Sequence, residues 1–475
     1  MVCCTRAQRG GHGRVLTLLR SACPRLHFSS RHPRCPLPQL TRVHDDVERT
    51  NPTANVMSST AGMCVGTGCH LHGRLSHIVG LLAVTGQWAS APVVGMVGGG
   101  QLARMTQQAA VSLGVRLRVL AASREDSAAQ VCPDTSVGDH TSLADLRDFA
   151  AGCDVLTFDH EHVPSEHLTA LEQAGVKVRP GSWPLRHAQD KRAMRERLAA
   201  LGVAGPRFRQ VRTLDEVREF AGSDGWPVVL KAISGGYDGK GMWVCRSTGE
   251  AAAVLAHDVP LIVEEHVRFG RELAAVVARS PHGQGAAFPV VQTVQRDGVC
   301  HEVLAPAPGL RPGSAARIQE LALRVAAELG VTGLLAVELF ETADGLLVNE
   351  LAMRPHNSAH WTIEGARTSQ FEQHLRAVLD LPLGAPRLAA PQVAMANVFG
   401  GDKWDAPGDV FGRYVHVMAA DPGAKVHFYG KQPRPGRKIG HVTVLGDPGD
   451  DMGEVRVRAR RAASYLGGER DDEGS

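Results

Sequence analysis

The chain has 475 residues, 43% of them apolar and 21% charged, with a formal net charge of +3; at roughly 100–200 residues per domain it has room for two to four domains with well-buried cores. That composition excludes a disulfide-stapled miniprotein, a fibrous repeat and a disordered chain, and it carries no electrostatic footprint for nucleic acid. The most apolar run, 78–84, is far short of the roughly 20 residues that cross a bilayer, so no membrane span is expected.

The first 91 residues differ in texture from the rest. Up to residue 92 the chain holds ten Arg, no Lys and three acids, a net of +7 against −4 for the remainder, and six of the ten cysteines. Pro24, Pro33, Pro36, Pro38 and Pro52 interrupt every apolar run, so 1–91 is expected to be a disordered extension or the product of a mis-assigned start. An Arg-rich start imitates a transit peptide, but proline breaks the amphipathic helix such a peptide needs. Cys64, Cys69, His70 and His72 lack the paired spacing of a structural zinc site. The other four cysteines are scattered like reduced thiols of a cytoplasmic protein.

Order is predicted from Val93. An apolar strand at 93–97 runs into Gly98-Gly99-Gly100 and then the helical pattern Leu102, Met105, Ala109. Strands at 116–121, 154–158 and 176–178 alternate with helices at 143–149 and 165–174, which reads as a parallel α/β domain over 92–189. Gly98-x-Gly100-x-x-Ala103 is part of a dinucleotide fingerprint, whose glycines bring backbone amides to a phosphate. The acid expected at the end of the second strand is missing, because Leu120-Ala121-Ala122 stands there. A phosphate-binding turn is therefore favoured over a nicotinamide site.

From Asp190 a charged helix leads into strands at 228–232, 242–245, 261–265, 272–278 and 333–350, with one long amphipathic helix at 315–329. Between the first two strands lies Ser234-Gly235-Gly236-Tyr237-Asp238-Gly239-Lys240-Gly241, preceded by Lys231. Four glycines free the amides to wrap phosphate oxygens and the lysines neutralise them, as in a lid over a nucleoside triphosphate. The spacing is not that of a P-loop.

The segment 337–350 reads as a β-hairpin. A three-residue loop with Gly345 in the left-handed position pairs 342 with 346, 340 with 348 and 338 with 350. Glu338 then faces Glu350. Like charges opposed on an aliphatic hairpin are destabilising unless a hard divalent cation bridges them. The polar run Arg354-Pro355-His356-Asn357-Ser358-Ala359-His360 follows, and its density of donors suits an anionic ligand. After Pro391 the segments are short and bounded by Gly, Pro and Asp, which suggests a small β-rich module over 391–455. A helix and charged tail over 456–475 complete the chain.

In this order, the blocks 98–105, 235–241, Asn349-Glu350-Leu351-Ala352, 356–362 and Arg434-Pro435-Gly436-Arg437-Lys438 resemble the signatures of the ATP-grasp superfamily, and within it the N5-carboxyaminoimidazole ribonucleotide synthases. The resemblance covers about 92–455. It implies an α/β fold, α+β overall, with an N-terminal parallel pre-grasp domain (92–189), a central two-part ATP-grasp (190–390, lid about 206–265) and the β-rich module. It also implies a cytoplasmic, homodimeric ligase of purine biosynthesis, acting on ATP, bicarbonate and 5-aminoimidazole ribonucleotide through carboxyphosphate, with Mg2+ or alternatively Mn2+.

Carried over, Lys231, Gly236, Tyr237, Asp238, Gly239, Lys240, Gly241 and Met242 hold ATP phosphates. Glu264, Glu265, His266 and Val267 line the adenine slot, Glu272 binds the ribose, and His187, Gln295 and Asn349 complete the nucleotide site. Glu338 and Glu350 hold the metal. Tyr237, Asp238, Lys240, Arg354, His356, Asn357, Ser358 and Lys438 surround the reacting groups, while Gly100, Gln101, Glu161 and Arg437 contact the ribonucleotide. The chain departs from the usual pattern at His187, at Gln295 and in Asp159-His160-Glu161-His162-Val163. The alternative is another ATP-grasp ligase, such as formate-using glycinamide ribonucleotide transformylase; a non-catalytic descendant of the fold is disfavoured by Lys231, Glu338 and Glu350.

Overall fold

The computed structural model describes residues 90–236, 240–401 and 409–468. The expectations for the N-terminal extension up to residue 89, for Tyr237, Asp238 and Gly239, and for the tail beyond 468 lie outside them.

Three sheets organise the described chain. The first has four parallel strands in the order Thr135–Val137, Arg116–Ala121, Val93–Val97, Val155–Phe158. Its central strand, VVGMV, is buried throughout, as a parallel strand covered on both faces must be. The strand expected at 176–178 is reduced to a single bridge between Leu156 and Val178; Pro180, two residues on, has no N–H with which to extend the ladder. Helix Gln101–Leu113 leaves the glycine turn directly.

A second, antiparallel sheet runs Phe208–Val211, Leu261–Glu265, Val228–Ala232, Met242–Cys245. Helices Leu214–Asp224 and Thr248–Leu255 cover it, and Val217, Phe220, Leu230 and Val263 give it a core of its own.

The third sheet has nine strands. Its main path is Gly345–Ala352, Gly333–Thr342, Arg271–Arg279, Val291–Arg296, Val299–Ala305, Gln392–Phe399, Lys438–Gly446, Lys425–Phe428. Gly285–Ala287 adds to Arg271–Arg279. The strands of the expected C-terminal module thus continue the central sheet and form no separate one. Strands Val291–Arg296 and Val299–Ala305 went unpredicted, although Asp297-Gly298 between them is a strong hairpin signal: both residues have positive φ, +51° and +75°. Helix Pro312–Glu328 begins earlier than expected, with Pro312 in the first turn where its missing N–H costs nothing.

A further helix, Gln370–Val378, joins the sheets. Its Phe371, Leu375 and Val378 share one core with Val94, Met96, Leu102 and Met105 of the first domain. No described helix is long and apolar enough to cross a membrane.

Candidate active site

The carboxylate hairpin departs from its expected turn and from the expected pairs 342 with 346 and 340 with 348, which become Thr342 with Gly345 and Phe340 with Leu347, but it keeps Glu338 opposite Glu350. Thr342 pairs with Gly345, so the loop is only Ala343-Asp344, and Gly345 takes φ +141° inside the strand. A regular ladder from that turn would set Glu338 against Asn349. Instead a bulge intervenes, so that Leu339 pairs with Val348, Glu338 pairs with Glu350, and Asn349 is the extra residue.

Burial, with Glu350 and Glu272 close by, pushes the Glu338 carboxyl up to about 8. His356 Nε2 lies 3.5 Å from Glu338 Oε1. Glu350 has the opposite balance. Burial raises it, but Lys191, whose Nζ donates to Oε1 at 2.9 Å, together with Lys231 and Arg354, outweighs burial and holds the carboxylate below its usual range. Burial alone pushes Glu272 up to about 7. Among the described residues no group of three or more His, Cys, Asp or Glu side chains could hold an ion unaided. The opposed pair therefore suits a hard divalent cation that takes its other ligands from phosphate oxygens and water, as magnesium does.

Two cavities meet at this pair. One, of about 370 Å³, is lined by Lys231, Lys240, Met242, Glu265, His266, Val267 and Glu272, with Phe269 and Phe340 among its apolar residues. The other, of about 350 Å³, is lined by Gln101, Asp159, Glu161, Arg354, His356, Asn357, His360 and Lys438. Lys191, Gly236, Gln295, Gly298, Glu338 and Glu350 line both. A group passed between molecules in the two cavities would cross at the carboxylates.

Several side chains have partners that define their roles. Glu264 lines the first cavity with Glu265, His266 and Val267 and, 2% exposed, accepts from Arg195 Nε at 2.6 Å and from Lys231 Nζ at 2.8 Å, so its carboxylate also fixes Lys231. Burial raises that carboxyl, and the two cations bring it below the usual range. Lys231 also donates to Asn349 Oδ1 at 3.1 Å. Glu265 accepts from the Arg207 amide at 2.7 Å. In the second cavity Arg354 Nε donates to Glu161 at 2.6 Å, and the Met353 amide donates to the same carboxylate. Asn357 and Asn397 exchange amide bonds of 3.0 and 2.8 Å.

Some expected residues line neither cavity. The Gly100 amide donates to the Asp159 carboxylate, and a Cβ there would collide with that carboxylate. Ser358 is buried, with its hydroxyl 2.8 Å from His356 Nδ1. The Gly241 carbonyl accepts from Ala232, and Arg437 donates to the Gln432 carbonyl at 3.2 Å. His187 also lines neither cavity: it is buried in helix Ser182–Gln189, with its Nδ1 3.1 Å from the Trp183 carbonyl.

Lys191 and Arg195 are site residues that spacing missed. The signal available for Lys191 was its place in the first turn of helix Lys191–Ala200, where the helix dipole disfavours a cation. His160 and His162, on the wall of the second cavity, had no such signal.

Comparisons with known proteins agree with this geometry. A ribonucleotide synthetase preATP-grasp domain model matches residues 92–189, an ATP-grasp domain model matches 196–371, and a phosphoribosylaminoimidazole carboxylase C-terminal domain model matches 393–455. N5-carboxyaminoimidazole ribonucleotide synthase from Mycobacterium bovis is 58% identical over 381 residues, 79% of this chain and 88% of the relative. The crystal structure of N5-carboxyaminoimidazole ribonucleotide synthetase from Thermus thermophilus superposes with a TM-score of 0.71 at 36% identity, covering 80% of this chain and all of the other. The Aspergillus clavatus synthase in complex with ADP and 5-aminoimidazole ribonucleotide gives 0.71 at 31% identity, covering 80% of this chain and 99% of that one.

Proposed function

The chain belongs to the N5-carboxyaminoimidazole ribonucleotide synthase family of ATP-grasp ligases, and from that premise we propose that its two cavities take ATP and 5-aminoimidazole ribonucleotide, with bicarbonate between them. The observation that carries this reading is the shared wall of Lys191, Glu338 and Glu350. ATP lies in the cavity of Lys231 and Lys240, its terminal phosphate at the junction. Bicarbonate attacks that phosphate, ADP leaves, and the resulting carboxyphosphate is held on the side of Arg354, His356 and Lys438. It breaks to carbon dioxide and phosphate, and the exocyclic amine of the ribonucleotide forms the new C–N bond and loses a proton to give the carbamate.

Lys191, Lys231 and Arg354 are cations fixed in advance by carboxylate or amide partners, so little reorganisation is needed as charge moves to the transferring phosphoryl group. A divalent cation held by Glu338 and Glu350, magnesium with manganese as the alternative, would supply neutralisation of the phosphate oxygens. Gly236, on the wall of both cavities, and Lys240, on the wall of the first, are assigned with Tyr237, Asp238 and Gly239 to the phosphates and the reacting groups. Gln101 and Glu161 face the ribonucleotide. A cytoplasmic homodimer is part of the same reading, and light scattering on the purified protein tests the dimer.

The deciding experiment is phosphate release by the full chain with ATP and magnesium, with and without bicarbonate and 5-aminoimidazole ribonucleotide. Stimulation by the ribonucleotide that disappears without bicarbonate is expected. Dependence on formate in place of bicarbonate would overturn the reading in favour of a transformylase.

A further inference from the structure

We propose that helix Gln370–Val378 holds the two walls of the ribonucleotide cavity in register from behind, with Gln370 and His374 as positioning residues for the ribonucleotide and not for ATP. This rests on the reading that the Arg354 cavity takes the ribonucleotide.

One wall is the loop that follows strand Val155–Phe158 and carries Asp159, Glu161 and His162; the other is the run from Arg354 to His360. From inside the cavity they are joined by the Glu161–Arg354 pair at 2.6 Å. Behind it a second link is made by residues that line neither cavity. Gln370 is fully buried, and its side chain is committed: Oε1 accepts from the His356 amide at 2.8 Å, while Nε2 donates to the His356 carbonyl at 2.9 Å and lies 2.8 Å from His360 Nδ1. Its own amide donates to Thr362 Oγ1 at 2.9 Å.

The two backbone bonds to His356 fix which end of the Gln370 amide is which. His360 Nδ1 is therefore an acceptor, and the neutral ring carries its proton on Nε2. The side chain of Gln370 thus sets both the path of the polar loop and the tautomer of a ring on the cavity wall.

One helical turn on, on the same face, is His374. It is fully buried, and its Nε2 lies 2.7 Å from Thr157 Oγ1, in the strand that runs into the opposite wall. Arg179, just beyond the bridge at Val178, donates to the Val378 carbonyl at 2.7 Å at the far end of the helix. Both walls are therefore bonded to one rigid element, and no residue of that element lines the ATP cavity. Lys231 lies on the second sheet, whose core the helix does not share, so a shift of the helix alters the distance between the walls more than it alters that side of the ATP cavity.

The test is steady-state kinetics of the full chain carrying Gln370→Met, Thr157→Val or Thr157→Ser, with ATP binding and thermal unfolding followed in parallel. Gln370→Met and Thr157→Val are expected to raise KM for 5-aminoimidazole ribonucleotide about 10- to 100-fold, with KM for ATP within about twofold, because small displacements of positioning groups act on the molecule they position. Thr157→Ser keeps the hydroxyl and should restore wild-type values. Thr157→Val carries the test alone if Gln370→Met does not fold. Equal changes in both KM values, or none in either, overturn the inference while the functional reading stands. A wild-type chain without ribonucleotide-stimulated phosphate release overturns the reading and the inference with it.

Discussion

Glu264 is an anion between two cations in a site closed to water, and the cost of leaving those cations alone decides what its substitution does. Arg195 also donates to the Val348 and Asn349 carbonyls at 2.6 and 2.8 Å, so it cannot turn away to solvent. Glu264→Gln is expected to cost about 3–5 kcal/mol in denaturant unfolding, the usual penalty for breaking a buried pair from one side. A loss below about 1 kcal/mol would show that Lys231 and Arg195 find other partners. Glu350 behaves differently because its side chain, 42% exposed, faces the open junction. Glu350→Ala should leave the unfolding transition in place and lower magnesium-dependent kcat at least about 100-fold, since it removes half of the carboxylate pair. Unchanged turnover would refute the metal assignment. Lys191→Met tests a residue that spacing missed, and a fall in kcat/KM of about 10- to 100-fold is expected from the loss of one preorganised cation.

At the scale of the element, the hairpin shows what sequence can and cannot fix. A three-residue loop and a two-residue turn followed by a bulge give the same pairing of Glu338 with Glu350, so the opposition was legible from spacing alone. Where the extra residue goes was not, because that depends on Asn349 meeting Lys231 across the sheets. The alternation of the first domain was legible from the apolar runs of Val93–Val97 and Val155–Phe158, whereas the edge strand Thr135–Val137, three residues long and without a buried face, was not. Helix Gln370–Val378 carries a readable apolar period in Phe371, Leu375 and Val378; what no period shows is that Gln370, Gln373 and His374 are buried and hydrogen-bonded beside it. The hairpin also makes a pH prediction. A carboxyl whose folded value is raised favours the folded state below its unfolded value, and that contribution is lost as pH rises through the folded value. With Glu272 near 7 and Glu338 near 8 in the folded chain, and both near the ordinary 4.5 when unfolded, the metal-free protein should lose stability from about pH 4.5 up to about pH 8 and change little above it. Magnesium binding should release protons and cancel the loss. Thermal unfolding across that range, with and without magnesium, checks both; a metal-free profile that rises with pH would contradict the assignment.

For the whole molecule, the decisive fact is that the central sheet does not stop at the boundary which composition suggests near residue 391. Strand Gln392–Phe399 pairs with Val299–Ala305 from Glu302 against Ala396 to Ala305 against Val393, and Lys438–Gly446 then pairs with Gln392–Phe399. Removing everything after Pro391 would bare a long edge of unpaired backbone and uncover Leu304, whose core partners include Ala394, Val398, Val442 and Val444. It would also strand a charge. Glu302 is 3% exposed and is held by Arg456 through bonds of 2.6 and 3.2 Å from helix Met452–Gly467. Without that helix its remaining cation is Arg296 at 3.8 Å, the partner on its own hairpin. Together these losses are comparable to the roughly 5–15 kcal/mol that holds a domain folded. A chain ending at Pro391 is therefore expected to be insoluble, or to bind a hydrophobic dye and unfold without a cooperative transition, even though it keeps every ATP-side residue. Soluble yield and dye binding of the truncated chain measure this directly. A soluble product that still binds ATP and melts cooperatively would mean that the C-terminal strands are an appendage, and that Lys438 alone is what the ribonucleotide cavity draws from them.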